Sequence, residues 1–468
     1  MTRTDPNESL FPCRAIPDEG AKARLVGVYP QAQEGRFMQR VRIPGGRLDA
    51  RGWRALAQLA RRYTPATPLH LTTRQDIELH DLSADDIPAV QQALQAVGLT
   101  SLGACGDTPR NITICPCSGL ASGSVELMPL AQAITAALAG IEGVYRLPRK
   151  FKIALACGPT CGQPFLNDLA LTAVQRDGRW GLRAVLAGSL GPVPATGVVY
   201  REWIEPSQAV ALAVAAVNVF AAEGDRVNRR KARLRHVRQR VGDVAFRTLI
   251  DQSFAAALST EKSPSSVIDL SHPSQPLAVS KPLFFPNGDL LPADADALGD
   301  LSDRPDLAIR LANQHQVILF ASSDGVLAAA LREQGSLLAP AAAGAGPIIV
   351  ACPGKRWCAH AVVATDVLAD RLRADLAGVL PSQAFVCISG CPNGCAHTLV
   401  ADVGLAGRVS EGREVFDLYL AGGMGRDERL ARSAGAKLSP EKVVEAIGRY
   451  YTDASGTRSG IADPSLSE

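Results

Sequence analysis

The chain has 468 residues, 47% hydrophobic and 20% charged, with a mean hydropathy of +0.06. That balance excludes a wholly disordered chain and fits a globular protein of two to four domains at roughly 100–200 residues each. Lys and Arg (49) nearly cancel Asp and Glu (46), leaving a net charge of +3, so nothing global argues for a polyanion partner such as nucleic acid. The cysteine count, 11, is odd and high.

In chain order, Met1 to Gly20 is polar and has no apolar core, so neither a signal nor a transit peptide is expected and the expected compartment is the cytoplasm. In that reducing setting the cysteines read as metal ligands or buried thiols before disulfides. A β-like run, Met38 to Ile43, and a Pro44-Gly45-Gly46 turn lead into a helix over Arg51 to Tyr63. A strand over Ile77 to His80, a helix over Ile87 to Val97 and a strand over Lys152 to Ala156 follow. Ala209 to Ala222 is the most apolar stretch; at about 14 residues, interrupted by Asn218, it falls short of the roughly 20 that span a bilayer, and no membrane partner is expected.

An Arg-rich helix over Gly224 to Val241 and a Ser/Pro-rich linker around Ser259 to Pro276 then join two halves. The Arg-rich run has no interleaved aromatics, so it reads as a solvated or interdomain helix face, with some arginines turned toward an anionic ligand, before a nucleic-acid patch. Beyond the linker, strands over Leu283 to Phe285, Val317 to Ala321 and Phe385 to Ser389 and a helix over Gly325 to Gln334 repeat the first pattern. Such alternation predicts α+β or α/β layers, with sheets covered by helices.

The halves are copies. Cys157-Gly-Pro-Thr-Cys161 and Cys391-Pro-Asn-Gly-Cys395 are both Cys-x3-Cys, offset by 234 (391 minus 157). The same offset carries Asp168-Leu169 onto Asp402-Val403 and Ala187-Gly188-Ser189-Leu190-Gly191 onto Ala421-Gly422-Gly423-Met424-Gly425. Further upstream it drifts: Cys115-Pro116 matches Cys352-Pro353, and Ile43-Pro44-Gly45-Gly46 matches Phe285-Pro286-Asn287-Gly288, as loop insertions produce.

The second half also offers Cys352-x5-Cys358 some thirty residues before its Cys-x3-Cys. Four thiolates on two Gly/Pro loops can wrap a [4Fe–4S] cubane. Zinc competes, although x5 is loose for a zinc knuckle, and a site without metal also stays open. The string Gly390-Cys391-Pro392-Asn393-Gly394-Cys395, preceded by Cys-x5-Cys and followed by Ala401-Asp402-Val403-Gly404-Leu405, resembles the cluster motif of the sirohaem-dependent sulfite and nitrite reductases. That family is itself built from two pseudo-symmetric halves, and the resemblance covers roughly residues 36–450.

The resemblance implies an α+β fold of two homologous halves, with mixed sheets and covering helices. It implies an N-terminal extension (1–35), a ferredoxin-like half-domain (36–150), a sirohaem and anion-site α/β domain (151–258), a linker (259–276), a second ferredoxin-like half-domain (277–345), a cluster and sirohaem domain (346–452) and a tail (453–468). It places the [4Fe–4S] cluster on Cys352, Cys358, Cys391 and Cys395, with Cys395 also bridging to the sirohaem iron. Three basic segments, Leu71-Thr-Thr-Arg-Gln75, Asp107-Thr-Pro-Arg-Asn111 and Leu147-Pro-Arg-Lys-Phe-Lys152, look like the family's substrate motifs and put the anion-binding roles on Arg74, Arg110, Lys150 and Lys152. Thr73, Gln75, Asn111, Gly422, Gly423 and Gly425 would be further sirohaem contacts.

The activity so implied is a six-electron reduction, sulfite to sulfide or nitrite to ammonia. Each oxygen lost needs protons delivered to a growing negative charge. No Gly-x-Gly-x-x-Gly follows a strand, so electrons are expected from a separate ferredoxin or flavoprotein.

Two features depart from the pattern. Cys115, Cys117, Cys157 and Cys161 form either a second metal centre or buried thiols left by duplication, and the cramped Cys-x-Cys favours the thiols. Cys13, Cys105 and Cys387 have no assigned role. Precorrin-3B synthase, an oxygen-using relative with the cluster but no sirohaem, is the alternative; the complete basic quartet speaks for the reductase.

Overall fold

Local sequence explains why each copy begins with a sheet and a helix. Asp49 caps the helix Ala50–Tyr63 by accepting the Gly52 N–H at 2.7 Å, and Trp53, Leu56, Ala57 and Ala60 recur on its buried side. That helix packs on its counterpart from the other half, Pro292–Ser302, where an added Cβ on Gly299 would meet Arg54 at 3.2 Å. Both helices belong to one apolar core shared by the two half-domains, in which each buried Leu or Phe contributes about 1.5–3 kcal/mol.

The computed structural model describes residues 19–158, 163–259, 270, 276–342, 346–423 and 429–453. The first half-domain contains β1 (Val28–Pro30), β2 (Phe37–Val41), β3 (Leu69–Leu71) and β4 (Ile77–Leu82). A second sheet follows with β5 (Thr113–Ile114), β6 (Ile153–Ala156), β7 (Leu169–Arg176), β8 (Arg179–Leu186) and β9 (Val198–Ile204). The other copy repeats this order with β10 (Val279–Phe284), β11 (Asp289–Leu290), β12 (Leu307–Leu311) and β13 (Gln316–Ala321), then β14 (Ile348–Ala351), β15 (Phe385–Ser389), β16 (Val403–Ser410), β17 (Arg413–Leu420) and β18 (Arg432–Leu438).

The duplication holds in three dimensions. The sheets run β1-β2-β4-β3-β11, β10-β13-β12, β5 through β9 in order, and β14 through β18 in order. In each five-stranded cofactor-side sheet the first two pairings are parallel and the last two antiparallel. Individual bonds repeat as well: the Cys115 N–H donates to Leu155 O and the Cys352 N–H to Ile388 O, both at 3.0 Å. The Asp168 carboxylate accepts the Lys152 N–H at 2.7 Å, and the Asp402 carboxylate accepts the Phe385 N–H at 2.9 Å.

The half-domains interlock through their turns. Gly46 (φ +69°) comes so close to β12 that a Cβ would sit 2.7 Å from Leu311 O, and Gly288 (φ +77°) approaches Leu71 O of β3 in the same way at 2.8 Å. A side chain at either position would push the halves apart.

One expectation is corrected. Gly224 to Val241 is not a single helix: a 3-10 turn, Arg229–Lys231, precedes an extended Arg233 and a helix that starts only at Leu234. Five basic residues among positions 229–235 would repel along one helical rod, and Arg233 instead turns inward to a buried acid. The helix Asp243–Ser259 has no counterpart in the sequence expectations. With the turn before it, the apolar helix reaches from Pro206 to Glu223, long and apolar enough for a membrane by length and composition. Most of its residues are buried in the core of the first half, where Phe246 and Ile250 of the following helix also lie.

Candidate active site

Four cysteines of the second half converge. Cys352 and Cys358 bracket the short helix Gly354–Trp357 after β14, and Cys391 and Cys395 sit in the loop after β15. The Cys395 charge bears on each of the other three. Their thiols are pushed up mainly by burial, and backbone N–H groups aimed at sulfur oppose that shift: Gly390 N–H lies 3.1 Å from Cys352 Sγ, with further donors at Ala361 and Asn393. Among the described residues, the cysteines whose sulfurs all lie within 4.8 Å of one another are Cys115, Cys117 and Cys157. The second-half quartet is therefore spread too widely for a single tetrahedral ion, and its convergent loops and N–H donors fit a larger cluster.

The first half clamps this loop pair. Thr73 Oγ1 donates to Cys395 O at 2.8 Å, Ala32 N–H to Trp357 O at 3.1 Å, and the Trp357 ring stacks on His80 with centroids 5.1 Å apart. Gly394, at φ +66°, lies against Leu190 and Gly191, the turn of the first half that matches Gly422 to Gly425.

Beside Cys395 opens a cavity lined by Thr73, Arg74, Lys152, Asn167, Asn313 and His397 among others. Arg74 stands on a tight turn in which Thr72 Oγ1 accepts the N–H groups of Arg74 (3.2 Å) and Asp76 (2.9 Å). Its guanidinium donates to Asn167 Oδ1 at 3.2 Å and Ile153 O at 2.8 Å, while its Nε is buried without a partner. Burial lowers the Arg74 pKa to about 9 and the Lys150 pKa to about 8. Lys152 falls further, from burial first and then from the adjacent Arg74 and Lys150 charges. Lys150 and Lys152 both feel the Cys395 sulfur, so the pair faces the cluster loop together.

The Arg110 charge bears on Arg74 and Lys150, and Arg74 and Lys150 in turn bear on Lys152. Each of the two terminal nitrogens of Arg110 uses one donor, on Ala104 O (2.6 Å) and Gly106 O (2.7 Å), and its Nε has no partner. Gln75 and Asn111 both bind backbone: Gln75 bridges Ile114 and Leu311, and Asn111 donates to Ile43 O at 2.8 Å and Arg74 O at 3.3 Å. They hold the Arg74 turn in place. Gly422 N–H donates to Ala401 O at 3.0 Å, where a Cβ would come within 2.5 Å, and Gly423 bridges Arg429; Gly425, like Cys13 and Cys161, lies outside the described residues.

Three cavity neighbours were not assigned from sequence. His397 lies at φ +64° just past Cys395, and burial plus the Lys152 and Arg74 charges hold its pKa at about 3, so it is neutral. Arg233 pairs with the fully buried Asp168 at 2.7 Å, and the buried Arg235 bonds Ser189 and Leu190 O. The Arg-rich run was the available signal, but only the fold separates these two inward arginines from their exposed neighbours. The buried Asp168 bears on Arg74, Arg233 and Arg235 and the buried Asp76 also bears on Arg74, so six basic groups of this region face two buried acids, and the Nε atoms of Arg74, Arg110 and Arg235 have no partner. Such an excess of desolvated positive charge fits a polycarboxylate tetrapyrrole.

Comparison with known proteins agrees. The profile of the nitrite and sulphite reductase 4Fe-4S domain matches residues 105–258 and 348–462, and that of the nitrite/sulfite reductase ferredoxin-like half domain matches residues 29–97. A ferredoxin–nitrite reductase of Synechococcus elongatus is 30% identical across 94% of this chain and 91% of its own. The sulfite reductase [NADPH] hemoprotein beta-component of Acidithiobacillus ferrooxidans is also 30% identical, across 82% of this chain and 76% of its own. The NirA protein of Mycobacterium tuberculosis shares the fold, with a TM-score of 0.80 at 23% identity over 98% of this chain and 92% of that one. The copied halves, the cysteine quartet and the basic cavity beside it thus have one origin: the chain belongs to the nitrite and sulfite reductase family, oxidoreductases that work with a [4Fe–4S] cluster and sirohaem.

Proposed function

We propose that this enzyme reduces nitrite or sulfite by six electrons, to ammonia or sulfide, with electrons from an external ferredoxin or flavoprotein in the cytoplasm. The observation that carries the reading is the placement of Arg74 and Lys152 on one cavity wall with His397, directly beside the exposed Cys395. The names of the cyanobacterial and Acidithiobacillus relatives support the two anions.

Cys352, Cys358, Cys391 and Cys395 would hold the cluster, and Arg110, Lys150, Arg233 and Arg235 would balance the carboxylates of sirohaem. When bound, the sirohaem supplies an iron for the anion and the cluster supplies electrons singly. Arg74 and Lys152 donate N–H bonds to the anion's oxygens and stabilise the charge that grows there as each oxygen leaves as water. Lys150, with a pKa of about 8, can lose and regain a proton near neutral pH, which suits it to resupplying Lys152. His397 stays neutral and shapes the wall. Thr73 ties the anion side to the cluster side through Cys395 O.

An absorption spectrum of the purified enzyme, with steady-state rates on both anions and a chemical electron donor, tests the reading. Strong bands toward the red together with turnover of either anion are expected. A cluster-only spectrum without turnover would refute it and favour the oxygen-using tetrapyrrole enzyme instead.

A further inference from the structure

The first half carries its own sulfur cluster, away from the chemistry just described. Cys115 follows β5, Cys117 lies two residues on, and Cys157 follows β6, so the trio occupies the strand ends that match those carrying Cys352 and Cys391. Its geometry differs from theirs. Cys115 and Cys117 Sγ are 3.1 Å apart, and all three sulfurs lie within 4.8 Å of one another.

The loop that presents them is tied shut. Ser118 N–H donates to Cys115 O at 2.9 Å, Gly119 N–H to Val125 O at 3.1 Å, and Leu127 N–H to Ser118 Oγ at 2.9 Å. Cys115 and Cys157 are 3% and 7% exposed, within the apolar core of this half. Thiolates on one tetrahedral zinc-type ion, bound at about 2.3 Å, sit about 3.8 Å apart. The trio, with every sulfur within 4.8 Å of the others, is compatible with that spacing, and no three sulfurs of the second-half quartet come that close together. Part of the reason is local: Cys157 is the first residue after β6, whereas Cys391 is the second after β15.

We propose that Cys115, Cys117 and Cys157 form a second metal site, taking one thiophilic divalent cation of the zinc class, distinct from the [4Fe–4S] site. Cys115 is disulfide-bonded in the structure, so loading requires that bond to be reduced. A dithiol reductant supplies two electrons and two protons, yielding Cys115 and its former partner as thiols while the reductant closes to its own disulfide. Metal binding then releases the protons of the ligating thiols. The duplicated unit would thus have kept a metal at both positions while changing its nuclearity.

The test is metal and acid-labile sulfide analysis of the full enzyme, purified anaerobically with a dithiol, supplied with zinc and desalted. About one zinc per chain is expected, with about four iron beyond the sirohaem. Cys157→Ser and, separately, the less buried Cys117→Ser should each lower zinc at least fivefold with iron and the red-end absorption unchanged. Zinc at trace level in the parent enzyme, zinc retained by whichever variant folds, or about eight iron with matching sulfide would each overturn the proposal.

Discussion

Asp168→Asn should be among the most destabilising conservative changes in this protein. The carboxylate is 0% exposed, accepts Arg233 Nη2 at 2.7 Å and the Lys152 N–H at 2.7 Å, and is a buried counter-charge to Arg74, Arg233 and Arg235. Asparagine can keep the one oxygen that accepts both the Lys152 N–H and Arg233 Nη2, but it turns an N–H2 toward Arg233 Nε and removes the counter-charge, leaving the buried guanidinium without a carboxylate. Removing one partner of a buried pair costs about 3–5 kcal/mol. At roughly 2–4 °C per kcal/mol for domains of 150–250 residues, the melting midpoint should fall by roughly 6–20 °C.

Asp402→Asn supplies the internal comparison, because Asp402 is the repeat equivalent and accepts the Phe385 N–H at 2.9 Å but is only half-buried, beside Tyr450 and Tyr451. Its cost should stay near 1 kcal/mol. Thermal melts and urea midpoints of both variants decide the matter. Equal small shifts would refute the assignment of Asp168 as a neutraliser of a buried cationic site.

Lys152→Met should leave cluster and sirohaem absorption in place while kcat falls about 10²–10³-fold on either anion, the loss expected when one donor to a developing oxyanion is removed; full activity would remove Lys152 from the site. With nitrite, an anion that does not titrate near neutrality, kcat/KM should decline as pH rises through about 8, since Lys150 loses its proton there, and Lys150→Gln should flatten that limb. In cofactor-stripped protein the sign for stability is opposite. A lysine whose folded pKa lies below its unfolded value binds fewer protons folded than unfolded, so stability should rise with pH between about 8 and the free lysine value of about 10.4, as urea midpoints would record. Thr73→Val removes the bond to Cys395 O, and should cost about 1 kcal/mol and perturb the low-temperature EPR signal of the reduced cluster without loss of iron.

Much of this was legible in sequence because it is written in local chemistry. Cys-x5-Cys and Cys-x3-Cys lie on loops that directly follow strands, so spacing along the chain already limits how the sulfurs meet. The offset between halves exposed the duplication, and Ile77, Phe385 and Arg51 mark element starts that agree with the structure to within a residue or two. The Arg74 segment was recognisable as a motif, although not as a turn held by Thr72, Gln75 and Asn111.

What sequence could not divide was residues alike in type but different in surroundings. Arg233 and Arg235 are indistinguishable from Arg229 and Arg230 until a break in the helix turns them toward Asp168 and Ser189. Arg110 reads as a free cation until two of its N–H groups are found on Ala104 O and Gly106 O. His397 is one more residue after a cysteine until burial and two cations strip its proton. Likewise Cys115, Cys117 and Cys157 are spread over some forty positions, and only the parallel pairing of β5 with β6 draws them together. By itself, then, the sequence determined that this chain is two copies of one unit with a cluster loop in the second. Tertiary structure alone decided which charges are desolvated and which sulfurs lie within reach of one ion, because burial and through-space distance are properties of packed elements and not of the order of residues along the chain.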